Sequence, residues 1–523
     1  MVISYRNILK FITCSLWIMC FLELLFFFSI ENILGVITFL YGWNITKIVC
    51  LKESLFKKYP LVVLSMFSLV LMYYYLPLPF TLLDGNSLTH NLEIPVTTFV
   101  YQIIYITCLN LSFCIFIYIY RPRNFLTRIL MRIGIYKSPK ANEVWALAFV
   151  GFLAFIYNLV SNTGNAEESF ANGLLPQLML FLQNFCFVPV CFFIKDLYFP
   201  DATLKRNRKK ALIYFTIIII FALATTRRSL VVQPIFMVLL IGFLLFVINK
   251  KVIKIKIRLL FFIICGVLLL QPIQDIATAM IYVRITSSTT SDKMFNEIIR
   301  IYNDKDLLRK IHAELKDVQS FDSYQAGWSE QYISNEFIER YCNLKVSDMS
   351  NYYVEKIGFS NPQFLDFTYD YIVGILPSPI LKILNINIDK SELRQSPGDK
   401  IYGIYSGYNY LGYYRVFSHI GTGMAIMGYW YFPFVIFLTL IVWFLLACLC
   451  TSTYSNIKLP LISVIFIYSY SILFIHSAGV FTHITFICRM FWQQIILIAI
   501  MMYIIRFIFI KRNNGCLNNY RKF

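Results

Sequence analysis

Acidic residues, histidines and patterned cysteines are all scarce in this chain. Only 14% of its 523 residues are charged, with 28 Asp+Glu against 47 Lys+Arg, and there are five His. A soluble domain carries about 25% charged and roughly 45–50% apolar residues. Here 58% are apolar and 18% aromatic, which excludes an ordinary cytosolic enzyme, a disordered scaffold and a collagen-like fibre. The thirteen Cys show no C-x-x-C spacing. Most lie in apolar runs, among them Cys14, Cys20, Cys108, Cys114, Cys186, Cys191, Cys265, Cys448, Cys450 and Cys488, so they read as small buried hydrophobes rather than metal ligands or a disulfide framework. No H-E-x-x-H, phosphate-loop or G-x-G-x-x-G pattern is present, and no internal repeat. A net charge of +19 would suggest a nucleic-acid surface in a soluble protein, but in so apolar a chain the placement of the positives matters more than their sum. No nucleic-acid partner is expected.

What is present is a series of long apolar runs. A helix needs about 20 apolar residues to cross a hydrocarbon core of roughly 30 Å. The fold expected is an all-α polytopic membrane protein with about twelve spans, at 10–30, 33–50, 61–83, 96–120, 144–161, 174–194, 211–226, 230–248, 259–280, 429–450, 460–476 and 484–508. Arg6, Lys10, Lys47, Lys52, Lys57, Lys58, the positives from Arg121 to Lys140, the cluster Lys205–Lys210 and the run Lys250–Arg258 all fall on one side of this arrangement. The basic tail falls there too, whereas the loops at 84–95 and 162–172 carry no Lys or Arg. The positive-inside rule then puts both termini in the cytoplasm.

This topology organises the chain into spans one to nine over 1–280, a polar loop over 281–415 outside the cytoplasm, a returning part over 416–510, and a basic cytoplasmic tail over 511–523. At about 135 residues the loop is long enough for a small core of its own. Its stretch 291–318 is charged at helical spacing, 324–341 and 363–384 are expected to be further helices, and 387–412 reads as turn-rich. Residues 416–427 read as an interfacial or re-entrant segment broken from the tenth span near Gly428. Non-helical backbone at that depth requires protein or a wet cavity around it.

Several polar residues lie on the outer side. Arg227-Arg228 end a span of about 16 residues, or roughly 24 Å, so the guanidiniums sit slightly below the surface. They read either as a phosphate clamp, which their planar fork suits, or as a snorkelling pair that fixes helix depth. Arg489 lies inside the twelfth span and must face the bundle interior, a cavity or a carboxylate such as Glu23. Arg415 and His419 stand one turn apart where the loop returns, and an imidazole there can move a proton beside an anion-holding Arg or simply be solvated. His476 and His483 bracket the last outer loop on the same side. Asp275 and Arg284 flank the outer end of the ninth span, Asp275 as a base or an Arg partner. The run from Ile401 to Tyr414, with Tyr408 and Tyr410, leads into Arg415; its rings can stack on sugar faces or belong to an interfacial aromatic belt.

The arrangement resembles the Wzy-type polymerases of bacterial surface polysaccharides. The likeness is mainly architectural and covers most of the chain: many spans, one large outer loop in the C-terminal half, and a short outer turn bearing arginine. Ala224-Thr225-Thr226-Arg227-Arg228-Ser229-Leu230 stands where many relatives carry a Gly-x-Arg-Gly-like turn, without those glycines. Arg415-Val416-Phe417-Ser418-His419, followed by Met427-Gly428-Tyr429-Trp430, is similar to the loop-to-helix return shared with O-antigen ligases, without the His-Asn pair found there.

The resemblance implies a metal-independent glycosyltransferase without a cofactor, in the bacterial inner membrane with its site facing the periplasm. It would polymerise undecaprenyl-pyrophosphate-linked oligosaccharide repeat units into an O-antigen or capsule, amid membrane lipids and with a chain-length regulator protein as a possible partner. Arg227 and Arg228 would hold the donor pyrophosphate, with Arg489, Arg415 and Arg284 as further clamps. His419 or Asp275 would assist deprotonation of the acceptor hydroxyl, and the tyrosines and outer histidines would bind the glycan. The alternatives are an O-antigen ligase acting on lipid A-core and a flippase or other transporter of lipid-linked oligosaccharides. Charges clustered at the outer edge rather than mid-membrane weigh against the transporter.

Overall fold

The structure is a computed structural model. It describes the chain apart from Met1, Arg123, 162–173, 194–204, 225–227, 249–252, most of 255–290, 312–330 other than Trp328, Arg340, Pro377, 389–394 other than Leu393, 408–414, 453–456, 472–478 and 521–523. In chain order the principal helices are α1 (Tyr5–Phe26), α2 (Ile30–Val49), α3 (Pro60–Tyr74), α4 (Pro95–Ile119), α5 (Phe125–Ile133), α6 (Ala141–Ser161), α7 (Lys205–Ala224), α8 (Arg228–Ile248), α9 (Ser291–Asn303), α10 (Leu344–Ile357), α11 (Pro362–Gly374), α12 (Pro397–Ser406), α13 (His419–Met427), α14 (Tyr431–Cys448), α15 (Ser463–Ser471), α16 (Val480–Thr485) and α17 (Phe491–Tyr520). Two antiparallel pairings of two residues each join Val2–Ile3 to Ile253–Lys254 and Thr451–Ser452 to Ile457–Lys458. The chain is a helical membrane protein. Among the described residues six helical stretches are long and apolar enough to cross a bilayer: Tyr5–Phe26, Pro60–Leu83, Pro95–Ile119, Ala141–Asn158, His419–Cys448 and Val480–Ile508.

The helices form two compact units. The first comprises Met1–Ile119, Phe246–Phe444 and Tyr470–Ile487. Lipid supplies no hydrophobic drive between apolar helices, so close packing and a few polar contacts hold them. Accordingly, α2 packs on α1, α3 and α4. Trp43 Nε1 donates to Thr13 Oγ1 at 2.9 Å and the Tyr74 hydroxyl to the Gln102 carbonyl at 2.8 Å. Between α4 and α14, Thr439 donates to the Ser112 hydroxyl at 2.8 Å and Ser112 to the Ile436 carbonyl at 2.9 Å. The buried Glu23 carboxylate accepts from the Leu88 N–H at 2.7 Å. Helices of the 281–415 stretch belong to this unit, with α10 lying against α4, α12 and α13.

The second unit comprises Tyr120–Leu245, Leu445–Ser469 and Cys488–Phe523. Here α6 packs on a 3₁₀ run over Gln183–Phe193. Trp145 stacks on Phe192 at 5.3 Å, and the Tyr214 hydroxyl donates to the Ala148 carbonyl at 3.1 Å.

The apolar runs read from sequence overlap α1 to α4, α6, α7, α8, α14, α15 and α17 without coinciding with them, and the run 174–194 overlaps a helix over Leu174–Leu182 continued by the 3₁₀ segment. Most of 259–280 lies outside the described residues. Helix α7 starts at Lys205, so the basic cluster forms its first turns instead of preceding it. Two loop expectations are corrected. Among the described residues of 324–341, Gln331 to Asn335 are not helical and Glu336–Glu339 forms a short helix, whereas the supposedly turn-rich 387–412 contains α12. Pro397 occupies the first turn of that helix, where its missing N–H costs nothing, and Ser396 caps it by accepting from Asp399 N. A proline-glycine pair thus marks a helix start here.

Candidate active site

A buried polar side chain needs partners, and α10 buries Lys345, Ser347, Asp348, Ser350 and Asn351 together. Asp348 answers the N-terminus of α4, where the first backbone N–H groups have no helical acceptor. One carboxylate oxygen accepts from Glu93 N at 2.6 Å, the other from Ile94 N at 3.0 Å and the Thr98 hydroxyl at 3.1 Å. Lys345 Nζ lies 4.0 Å from the same carboxylate and donates to the Asn91 carbonyl. Burial pushes the Asp348 carboxyl up and the Lys345 ammonium down from their ordinary values, while these hydrogen bonds and the mutual attraction oppose both shifts.

Two residues along α10, the Ser350 hydroxyl accepts from Ser418 N at 2.9 Å and so fixes the start of α13. Just upstream, Arg415 donates from Nη1 to Asp399 Oδ1 at 3.1 Å, and its backbone N–H reaches the same oxygen at 3.3 Å. The guanidinium carbon lies 4.3 Å from the Tyr402 ring centre and 5.6 Å from that of Trp328. Trp328 stacks on Tyr353 at 5.0 Å, and the Tyr402 and Tyr405 rings pack edge-on against Tyr353. The Arg415 side chain is 11% exposed and that of Asp399 0%, so this is a desolvated ion pair walled by rings.

Ser418 caps α13 by accepting from Gly421 N at 3.0 Å. The Thr422 hydroxyl then accepts from Val480 N at 3.0 Å and docks the start of α16. Gly479 has φ +59°, and a Cβ there would stand 1.9 Å from Thr422 Oγ1, so only glycine allows this approach. The Phe481 ring wedges against Phe364, Phe367 and Tyr371 of α11. The result is that His483 of α16 stacks on His419 of α13, ring centres 4.5 Å apart and planes 22° apart, both buried. Directly after α13 the chain breaks at Gly428, with φ +56°, before a short 3₁₀ turn leads into α14.

Of the residues singled out from sequence, the structure brings His419 and His483 into contact and places Arg415 four positions upstream. Asp275 pairs with Lys305 at 2.9 Å. In the second unit, Arg489 Nε donates to Gln493 Oε1 at 3.1 Å and the guanidinium lies 5.4 Å from the Phe181 ring centre. In the first unit, the Glu23 carboxylate accepts from Leu88 N at 2.7 Å. Arg228 opens α8. Arg227, Arg284, His476, Tyr408 and Tyr410 lie outside the described residues. Sequence reasoning missed Asp348, Lys345, Asp399, Trp328 and Tyr353. The signature Ser396-Pro397-Gly398-Asp399, a capping serine followed by proline and an acid in the first turn, would have found Asp399; α10 offers no comparable signal.

Chemically, two imidazoles stacked this closely cannot both carry a proton without repulsion, which at about 4 Å is worth roughly 4 kcal/mol in a partly screened site. Asp399 balances the charge of Arg415. Compared with protein-family models, with curated proteins and with solved structures, the chain matches none of them.

Proposed function

We propose that the protein is a polymerase of lipid-linked oligosaccharide repeat units, acting at the outer face of a bacterial inner membrane, with about twelve spans and both termini in the cytoplasm. In this reading the donor is a growing glycan on undecaprenyl pyrophosphate and the acceptor is one lipid-linked unit. The observation that supports it is the stacking of His419 on His483 at the point where the polar stretch returns to an apolar helix. His419 acts as the general base on the acceptor hydroxyl, and His483 holds its ring in place. Asp275 is the weaker candidate because Lys305 already occupies it. Arg227 and Arg228 remain the proposed partners of the pyrophosphate, whose charge grows as it leaves and is met by fixed guanidiniums. Arg415, neutralised by Asp399, positions the start of α13 instead of gripping phosphate.

The test is deletion of the gene in its host and complementation with variants, with surface glycan resolved by length. The expected deletion phenotype is single-unit glycan on the lipid core. Wild type restores the ladder, and His419→Ala and Arg227→Ala do not. A deletion strain with no glycan on the core would identify a ligase instead, and an unchanged ladder would end the reading.

A further inference from the structure

In the second unit, a cleft of about 370 Å³ lies between the end of α5, the residues before α15 and the middle of α17. Its walls divide by chemistry. Arg132, Lys137 and Arg506 supply three cations, while Ile462, Met502 and Phe507 supply apolar surface. Arg506 is the only one of the three with a carboxylate partner among the described residues, pairing with Glu143 at 3.4 Å. The other two are exposed, which leaves the cleft with an excess of positive charge.

The backbone assembles this cluster. Helix α5 ends at Gly134 with φ +82°, and Ile135 N donates back to the Leu130 carbonyl at 3.1 Å, a closing turn that needs a residue tolerant of positive φ. The Lys137 N–H then donates to the Gly134 carbonyl at 3.2 Å, and the Lys137 side chain folds back to within 3.5 Å of where a Gly134 Cβ would stand. Lys137 and Arg132 thereby line the same cleft.

We propose that this cleft binds the phosphate headgroup of an anionic phospholipid, with the adjoining acyl segment lying along Met502 and Phe507. Two observations favour a lipid over a free phosphate. The apolar wall belongs to the membrane-crossing stretch Val480–Ile508, on which Tyr503 and Phe507 are exposed. Beside it, α5 presents exposed Phe125, Met131 and Ile133 along with Arg128 and Arg132, the composition of a helix lying in the membrane interface. Cations gathered between helix ends over apolar surface are what an anionic headgroup requires, and their guanidiniums suit a phosphate diester.

The experiment uses the full-length protein in mixed micelles of phosphatidylglycerol or phosphatidylcholine, with lipids retained after delipidation counted by native mass spectrometry. Wild type is expected to retain phosphatidylglycerol over phosphatidylcholine, and Arg132→Gln with Lys137→Gln to lose that preference by about fivefold per cation removed. Lys137→Arg should keep it, and inorganic phosphate at equal phosphorus concentration should not displace the lipid. The double variant should melt with wild type in lipid-free detergent; if it does not fold, Lys137→Gln alone carries the comparison. Equal retention of the two lipids, an undiminished preference in the variant, or displacement by inorganic phosphate would each overturn the proposal.

Discussion

Asp348 and Asp399 are both fully buried carboxylates in helices of the polar stretch, and each ties that stretch to the start of an apolar helix. Asp348 does so through hydrogen bonds to Glu93 N, Ile94 N and the Thr98 hydroxyl ahead of α4, with Lys345 at the edge of ion-pair distance. Asp399 does so through Arg415, one oxygen accepting from both the guanidinium and the backbone N–H of that residue, and the guanidinium is also covered by Tyr402 and Trp328. A carboxylate that answers several donors at once leaves all of them orphaned when removed. An arginine already lying on aromatic rings keeps part of its stabilisation when its acid is lost. The difference ranks the two junctions: the first should be the more fragile.

Replacement of Asp348 by Ala should therefore have the largest effect, about 3–5 kcal/mol of stability, because Lys345 is left buried without its carboxylate and two backbone N–H groups and the Thr98 hydroxyl lose their acceptor. Thermal unfolding in detergent measures this. The same site carries a pH signature. Burial raises the Asp348 carboxyl above its ordinary value of 3.8, so over that window the folded chain binds more protons than the unfolded one. The stability from its neutral form is complete below 3.8 and is lost as pH rises through the raised value. Asp348→Asn does not titrate, so the melting temperature of wild type relative to this variant should climb as pH falls from 8 to 4. A difference independent of pH would show that the carboxylate stays ionised in the fold.

Asp399→Ala should cost less, about 1.5–3 kcal/mol, the range of hydrogen bonds to charged groups. A loss equal to that of Asp348→Ala would break the comparison and show that the rings contribute little. Gly479→Ala should follow at about 1–2 kcal/mol from the strained backbone. Its Cβ cannot coexist with Thr422 at the present distance. Its larger consequence is functional: α16 is pushed off α13, the two imidazoles separate, and under the proposed function the surface-glycan ladder should collapse although every side chain assigned to the chemistry remains. A normal ladder in this variant would detach His483 from the chemistry.

How much of this was legible beforehand depended on whether local pattern or distant contact decides the outcome. The apolar runs are local, and α1, α4 and α14 follow from them; the break at Gly428 stands where glycine interrupts such a run. That His419 and His483 share a side could be read from the order of spans, but their stacking depends on Gly479 meeting Thr422, a contact no spacing rule reveals. Asp348 was invisible because its donors lie in the turn before α4, far away in sequence, and α10 looks like any charged surface helix. The Pro397-Gly398 pair misled because the same dipeptide serves turns and helix starts, and the cap at Ser396 settles which.

The smallest effect expected comes from a third carboxylate, and it sharpens the contrast between buried and exposed pairing. Asp275 is bonded to Lys305, but the lysine side chain is 56% exposed. Exposed partners of this kind contribute about 0.2–1 kcal/mol, since water already solvates the ammonium. Lys305→Ala should therefore leave the melting temperature almost unchanged while freeing Asp275 from that partner. If His419 is the base, the glycan ladder of this variant should match wild type in length and amount. Should chain length or yield change with Lys305→Ala at unaltered stability, the carboxylate would replace the imidazole as the group that takes the acceptor's proton. The same variant thus measures the weakest of the three ion pairs and decides between the two bases.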